Sequence, residues 1–313
     1  MRVIVVGLGV QGLKRRVFAG GDCCASVDPG NEDATYRNLQ DVPLGDYDAA
    51  FLCVPDESKL QLLTYLVNEG KSALVEKPLL AGSDADLDRL EKIARAKGVI
   101  IYTAYNHKFE PHFVRMGNLV KSGDLGEIYN CRLFYGNGTA RLVRDSEWRD
   151  QGAGVLPDLG SHMLDTVFHW FGYSVSKFRV VSANAFENKA ADHVVICREG
   201  GLPRIEIELT LLMWRNHFTC DVLAEYGSAH IESLCKWGPS TFTQRNRVFP
   251  SGRPEEKYAT LTQEDPTWAQ EYEHFRQLVE GQVSCDLTND KIINNALIQL
   301  SDEIVSGNTH GNG

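Results

Sequence analysis

The sequence predicts an α/β protein: a doubly wound parallel sheet over residues 1–120, then an α/β domain over residues 121–313 built on a large, open, mostly antiparallel sheet. Three observations predict it. Short apolar, β-branched runs alternate with helical stripes through the first part of the chain, which implies parallel strands joined by right-handed crossovers. The first such run feeds directly into a glycine-spaced bend. After Gly123 the helical stripes give way to alternating strands, clearest in Arg204-Ile-Glu-Ile-Glu-Leu209.

Taken in order, Val3 to Val6 reads as a buried strand and runs into Gly7, Gly9 and Gly12, spaced G-x-G-x-x-G, with a helix from Val10. Cys23 to Val27 is a second strand ending at Asp28, and Asp48 to Val54 a third ending at Pro55. Glu57 to Asn68 carries leucines at 60, 62, 63 and 66, a helical face that Gly70 closes. Ser72 to Val75 is a strand that meets Glu76-Lys77-Pro78. Ser83 is placed as an N-cap, with Asp84 and Asp86 in the first turn and Gly98 ending that helix. Val99 to Ala104 closes the first half. In the second half, Glu127–Tyr135, Lys177–Ala185, His193–Cys197, Arg204–Leu212, Phe218–Ala224 and Ala229–Ser233 read as strands. Residues 140–154 read as a polar loop, and Asp158–Phe171, Trp268–Val279 and Lys291–Val305 as helices. The polar tail 306–313 is expected to be loose.

Composition narrows the function. Hydrophobic residues make up 43% and charged residues 24%, ordinary for a globular protein with a sizeable core. A net charge of −10 argues against broad binding to nucleic acid or anionic membrane. No run of about 18 apolar residues offers a membrane span, and the glycines in the apolar start favour a strand over a signal peptide. Eight cysteines occur without a C-x-x-C pair, so they are read as reduced thiols in a cytoplasmic protein.

The glycine triplet has a physical reading. The first glycine permits a tight turn, the second a close backbone approach to a pyrophosphate, and the third close packing of the next helix. That helix would aim its free N–H groups at the phosphates. Asp28, about 20 residues on, stands where a carboxylate would accept the ribose hydroxyls. A carboxylate there would repel a 2′-phosphate, and no Arg or Lys follows before Arg37, so NAD is preferred over NADP. Ligands of such sheets lie beyond the carboxyl ends of the strands. The candidate nucleotide contacts are therefore Gly7, Leu8, Gly9, Val10, Gln11, Gly12, Asp28, Cys53, Val54, Pro55, Glu76, Lys77 and Asn106.

Lys77 on that rim can face a nicotinamide, whose positive charge would favour proton exchange by the amine; the plainer alternative is a solvated lysine. Asp158, His162 and Asp165 are spaced i, i+4, i+7 and are expected on one helix face. A histidine held by a carboxylate is a general base near neutral pH; the alternatives are a capping Asp with a structural His, or a metal site that lacks a third ligand. No metal is expected. Arg141, Arg144 and Arg149 can hold a substrate carboxylate or phosphate, or simply face solvent.

Taken together, several stretches of the chain resemble the glucose–fructose oxidoreductase/inositol dehydrogenase/MocA oxidoreductases. They are Gly7-Leu-Gly-Val-Gln-Gly12, Glu76-Lys77-Pro78, Tyr105-Asn106 followed by Pro111, the glycine-rich lead into Asp158-Leu-Gly-Ser-His162-Met-Leu-Asp165, and Glu271-Tyr-Glu-His-Phe275. The resemblance implies an N-terminal Rossmann domain and a C-terminal sheet that often serves as an oligomer interface, here giving a homodimer or homotetramer. It implies that Lys77 is the active-site lysine, Asp158 the helix aspartate and His162 the acid/base. Hydride would pass between NAD and a secondary alcohol of a sugar, sugar acid, nucleotide sugar or inositol. Two departures stand out. Val54-Pro55-Asp56-Glu57-Ser58-Lys59 replaces the usual Thr-Pro-Asn and later His, and Asn106-His107-Lys108 replaces Asn-Arg-Arg. His107, Arg144 and Arg149, with Lys77, Asp158 and His162, are the candidate substrate contacts. The competing expectations are a non-catalytic dinucleotide-sensing regulator of the same fold and a metal-dependent hydrolase.

Overall fold

A computed structural model describes residues 1–146 and 149–308. The chain forms two compact units, one from Met1–Asn106 and Pro266–Asn294, the other from His107–Asp265 and Asn295–Gly313. In chain order the strands and helices are β1 (Val3–Val6), α1 (Val10–Ala19), β2 (Cys23–Val27), β3 (Ala49–Leu52), α2 (Asp56–Asn68), β4 (Ser72–Glu76), α3 (Asp84–Lys97), β5 (Ile101–Ala104) and α4 (Pro111–Ser122). There follow β6 (Ile128–Gly136), α5 (Ala140–Arg144), α6 (Ser161–Phe171), β7 (Phe178–Asn184), β8 (His193–Arg198), β9 (Arg204–Thr210) and β10 (His217–Ala224). The chain continues through β11 (Gly227–Glu232), β12 (Ser240–Asn246), β13 (Glu256–Leu261), α7 (Thr267–Val279) and α8 (Thr288–Asn308).

The first unit is the expected parallel sheet, in the order β2-β1-β3-β4-β5. A lone parallel bridge, Val27 to Tyr36, extends it past β2, so the layout follows the 3-2-1-4-5-6 order of a dinucleotide-binding sheet with its third strand reduced to one pair. Strand period decides which face each side chain covers. Ile4 and Val6 join Leu63, Leu66, Leu87 and Leu90 on one side, whereas Val3 and Val5 join Phe51, Phe275 and Leu278 on the other. Each such side chain, fully removed from water, stabilises by about 1.5–3 kcal/mol. The late helix α7 thus covers the sheet that the first strands build.

The second unit is an eight-stranded sheet, β13-β12-β11-β10-β6-β9-β8-β7, antiparallel except where β6 runs beside β9. Its inward residues, such as Ile205, Ile207, Leu209, Cys220 and Val222, are fully buried. The opposite face carries Arg132, Glu206, Glu208, Thr219 and Asp221, which line a shallow cavity of about 330 Å³.

Several expectations need correction. β12, β13 and α4 were not anticipated: Thr241-Phe-Thr-Gln-Arg245 pairs through its backbone with little apolar alternation to announce it. The polar loop at 140–154 contains α5, and the tail is helical through Asn308; the rest of that tail, 309–313, lies outside the described residues. Ser83 stands at the N-cap of α3, but its hydroxyl donates to Asp86 (3.0 Å) instead of accepting a backbone N–H. All eight cysteines are free thiols. Among the described residues no helix is long and apolar enough to cross a membrane.

Candidate functional site

In the first unit, the carboxyl ends of five parallel strands deliver Gly7, Asp28, Cys53, Lys77 and Asn106 to one edge of the sheet. Two glycines there are fixed by the protein itself. Gly7 has φ +90°, and a Cβ on it would meet the Cys53 carbonyl oxygen at 2.3 Å; a Cβ on Gly12 would meet the Gly7 oxygen at 1.8 Å. Gly9 differs: its missing Cβ faces nothing within 4 Å. Packing does not require that glycine, whereas close approach of a phosphate does. Gly9 is also the N-cap of α1 and offers no side-chain cap to the first helical N–H groups. Val10 and Gln11 beside it are exposed. The bend can therefore hold a pyrophosphate.

Asp28 is tied down by backbone. Its carboxylate accepts N–H groups from Leu8 (2.7 Å), Gly30 (2.9 Å) and Asn31 (2.9 Å), and these bonds, Leu8 first, hold its carboxyl below the ordinary value of 3.8. It is thus a fixed anion beside the glycine bend.

Glu76 ends β4 and Lys77 follows it, both half-buried. Glu76 accepts from Arg15 Nε at 2.7 Å, and Arg15 Nη1 reaches Glu271 at 2.7 Å. Arg15 and Glu271 are buried, and Glu271 also accepts from the Tyr102 hydroxyl at 3.3 Å. Lys59, at the departure from the familiar motif, is buried as well; its ammonium bonds Asp56 (2.6 Å) and the Pro78 carbonyl (2.8 Å), and burial pushes its pKa down against the pull of Asp56. Asn106 donates to Thr267 at 2.8 Å. Cys53, Val54 and Pro55 follow β3, the first two half-buried and the proline exposed.

In the second unit, the segment Leu156–Gly160 is π-helical and passes into α6 at Ser161. The i→i+5 bonding adds a residue to that turn, so the regular helix expected from Asp158 is corrected and the 3.6 period does not carry across from Asp158 to His162. Asp158 is exposed on its side chain (42%) and pairs with Arg149 at 3.5 Å, while His162 and Asp165 are buried. His162 stacks on His107, ring centres 4.0 Å apart and 18° between planes. His107 is itself buried and lies 3.3 Å from the Lys236 ammonium. Of the arginines, Arg149 is held by Asp158, Arg141 lies 3.9 Å from Glu187, and Arg144 is exposed on α5. Among the described residues no three His, Cys, Asp or Glu side chains gather as metal ligands.

The second unit therefore brings together His162 with His107, and Asp158 with Arg149. Sequence reasoning missed Arg15, Lys59 and Lys236. Only Lys59 left a trace in the sequence, the Asp56–Lys59 i,i+3 spacing at a helix start.

Comparisons with known proteins agree with this architecture. A family model described as the GFO/IDH/MocA C-terminal domain matches residues 113–229. The scyllo-inositol 2-dehydrogenase (NADP(+)) of Bacillus subtilis is 28% identical over 126 residues, 39% of this chain and 33% of that protein. The inositol 2-dehydrogenase of Rhizobium meliloti is 24% identical over 123 residues, 38% and 35% of the two chains. These matches span about a third of each relative's length. Among solved structures, the UDP-N-acetylglucosamine 3-dehydrogenase of Acidithiobacillus ferrooxidans superposes with a TM-score of 0.80 at 15% identity, over 98% of both chains. Levoglucosan dehydrogenase, solved with NADH and levoglucosan, gives 0.77 at 15% identity, over 98% of this chain and 97% of that one. At such identities the likeness is one of fold.

Proposed function

We propose, from the premise that this chain belongs to the glucose–fructose oxidoreductase/inositol dehydrogenase/MocA oxidoreductases, that it is a nicotinamide-dependent dehydrogenase of a secondary alcohol on a cyclic polyol: a sugar, sugar acid, nucleotide sugar or inositol. The observation that carries this reading is the glycine bend, where Gly7 and Gly12 are demanded by packing and Gly9 is left open on the ligand side. NAD is the preferred cofactor because Asp28 is a fixed anion where a 2′-phosphate would come. When bound, the nicotinamide supplies the hydride chemistry.

The chain's own groups supply position and a proton path. The first helical N–H groups of α1 would hold the phosphates, and Asp28 would accept from the ribose. His162 takes the hydroxyl proton as the alcohol is oxidised. The Lys77 ammonium, at the end of the parallel sheet, is the group that would stabilise negative charge developing on the substrate. Asp158, held by Arg149, binds a neighbouring hydroxyl.

The test is the appearance of NADH absorbance when NAD is mixed with a panel of polyols. Turnover of at least one is expected, and His162→Ala is expected to lower kcat by about 100-fold or more. No turnover across the panel, together with no NADH or NADPH binding by calorimetry, would sink the reading.

A further inference from the structure

The second unit holds two stacked imidazoles, and the reaction above uses one. His107 comes from the turn Asn106–Phe109 after β5, and His162 from the first turn of α6. Their centres are 4.0 Å apart, and both rings are buried. The Lys236 ammonium lies 3.3 Å from His107 Nε2 and 3.3 Å from the Tyr135 hydroxyl. It also sits 4.8 Å from the centre of the Trp237 ring and 5.7 Å from that of Tyr135.

An ammonium has three N–H donors and no lone pair, so its approach to His107 is a hydrogen bond only if Nε2 accepts. His107 is then a neutral ring with its proton on Nδ1. An imidazolium carries N–H at both nitrogens and would meet Lys236 donor to donor and cation to cation. The aromatic faces of Trp237 and Tyr135 favour a cation at Nζ. At 4.0 Å the stack itself opposes a second charge.

We infer that Lys236 is a positioning residue: it fixes His107 as the neutral Nδ1–H tautomer, so that the one proton the stacked pair takes up goes to His162. The inference rests on the reading of His162 as proton acceptor. The other titratable groups around the pair are Tyr135, Glu110 with its Cys235 and Asp265 neighbours, Asp158 with Arg149, and Asp165.

Ring-nitrogen spectra of 15N-histidine-labelled protein, assigned with His107→Gln and His162→Gln, test this without any substrate. Through the neutral pH range His107 is expected to keep one bare, accepting nitrogen while His162 titrates. In Lys236→Met, His107 titrates too, and the acid limb of kcat/KM moves up by about one pH unit, because a cation that disfavoured protonation is gone. Lys236→Arg, which keeps a donor-only cation, behaves as wild type in both readouts. Doubly protonated His107 at neutral pH in the wild type, or an unchanged His107 spectrum in Lys236→Met, overturns the inference. If no polyol is turned over, the functional reading falls while the spectra still decide the tautomer. If Lys236→Met does not fold, the wild-type and Lys236→Arg spectra decide alone.

Discussion

Asp28 spends three acceptor positions on the backbone and stays ionised, so its effect on a nucleotide is electrostatic as much as directional. Asp28→Ser is therefore expected to shift the ratio of NADPH to NADH affinity by about 10-fold toward NADPH, read by fluorescence titration of both. An unmoved ratio would separate this carboxylate from cofactor choice. His112 gives a second single-residue outcome. It is buried against the Ser240 carbonyl (3.3 Å), and burial pushes its pKa below the ordinary 6.5. The unfolded chain thus binds this proton more readily, so stability is complete above pH 6.5 and is lost as pH falls from there toward the folded value. Thermal unfolding should show a drop in Tm below pH 6.5 that His112→Gln reduces. At this scale the sequence was informative where backbone chemistry dictates the residue: Gly7, Gly12 and Asp28 stand where their spacing put them. It was silent on Lys236, because a lysine's partner depends on which distant segment the fold lays beside it, and of Lys59 it showed only the local partner Asp56.

At the scale of elements, the clearest case is the Arg15 cluster, where α1, β4 and α7 meet through one guanidinium. Both Arg15 and Glu271 are out of water, and removing Glu271 leaves Arg15 with Glu76 as its remaining carboxylate and an unmet donor at Nη1. Glu271→Ala is expected to cost about 1–3 kcal/mol, measured as a lowered midpoint of urea unfolding, with Glu271→Gln falling between it and wild type. A loss under about 1 kcal/mol would mean that water reaches the site. Parallel strands and the helices between them were legible from apolar runs and glycine stops. β12 and the edge strand β13 were not, since Ser240–Asn246 and Glu256–Leu261 are mostly polar and Phe242 is the one apolar side chain they bury fully. The π-helical turn at Leu156–Gly160 was likewise hidden, because the apolar repeat on either side reads as one unbroken helix.

At the scale of the molecule, the eight-stranded sheet has one apolar face turned inward and one lined by Arg132, Glu206, Glu208 and Asp221. We propose that the chain works as a homodimer or homotetramer assembled through this sheet. Sedimentation velocity should show a mass of two or four chains of 34.9 kDa, and a monomer at micromolar concentration would count against it. The division of the first unit into Met1–Asn106 and Pro266–Asn294 has its own consequence, one of timing. A nascent chain leaves the ribosome with its opening strands complete but without Phe275, Leu278 and Glu271, which cover one side of them and neutralise Arg15. The earlier segment must therefore wait, unfinished, for the later one, and a chain halted at Asp265 would leave the ribosome with that flank of the nucleotide fold bare.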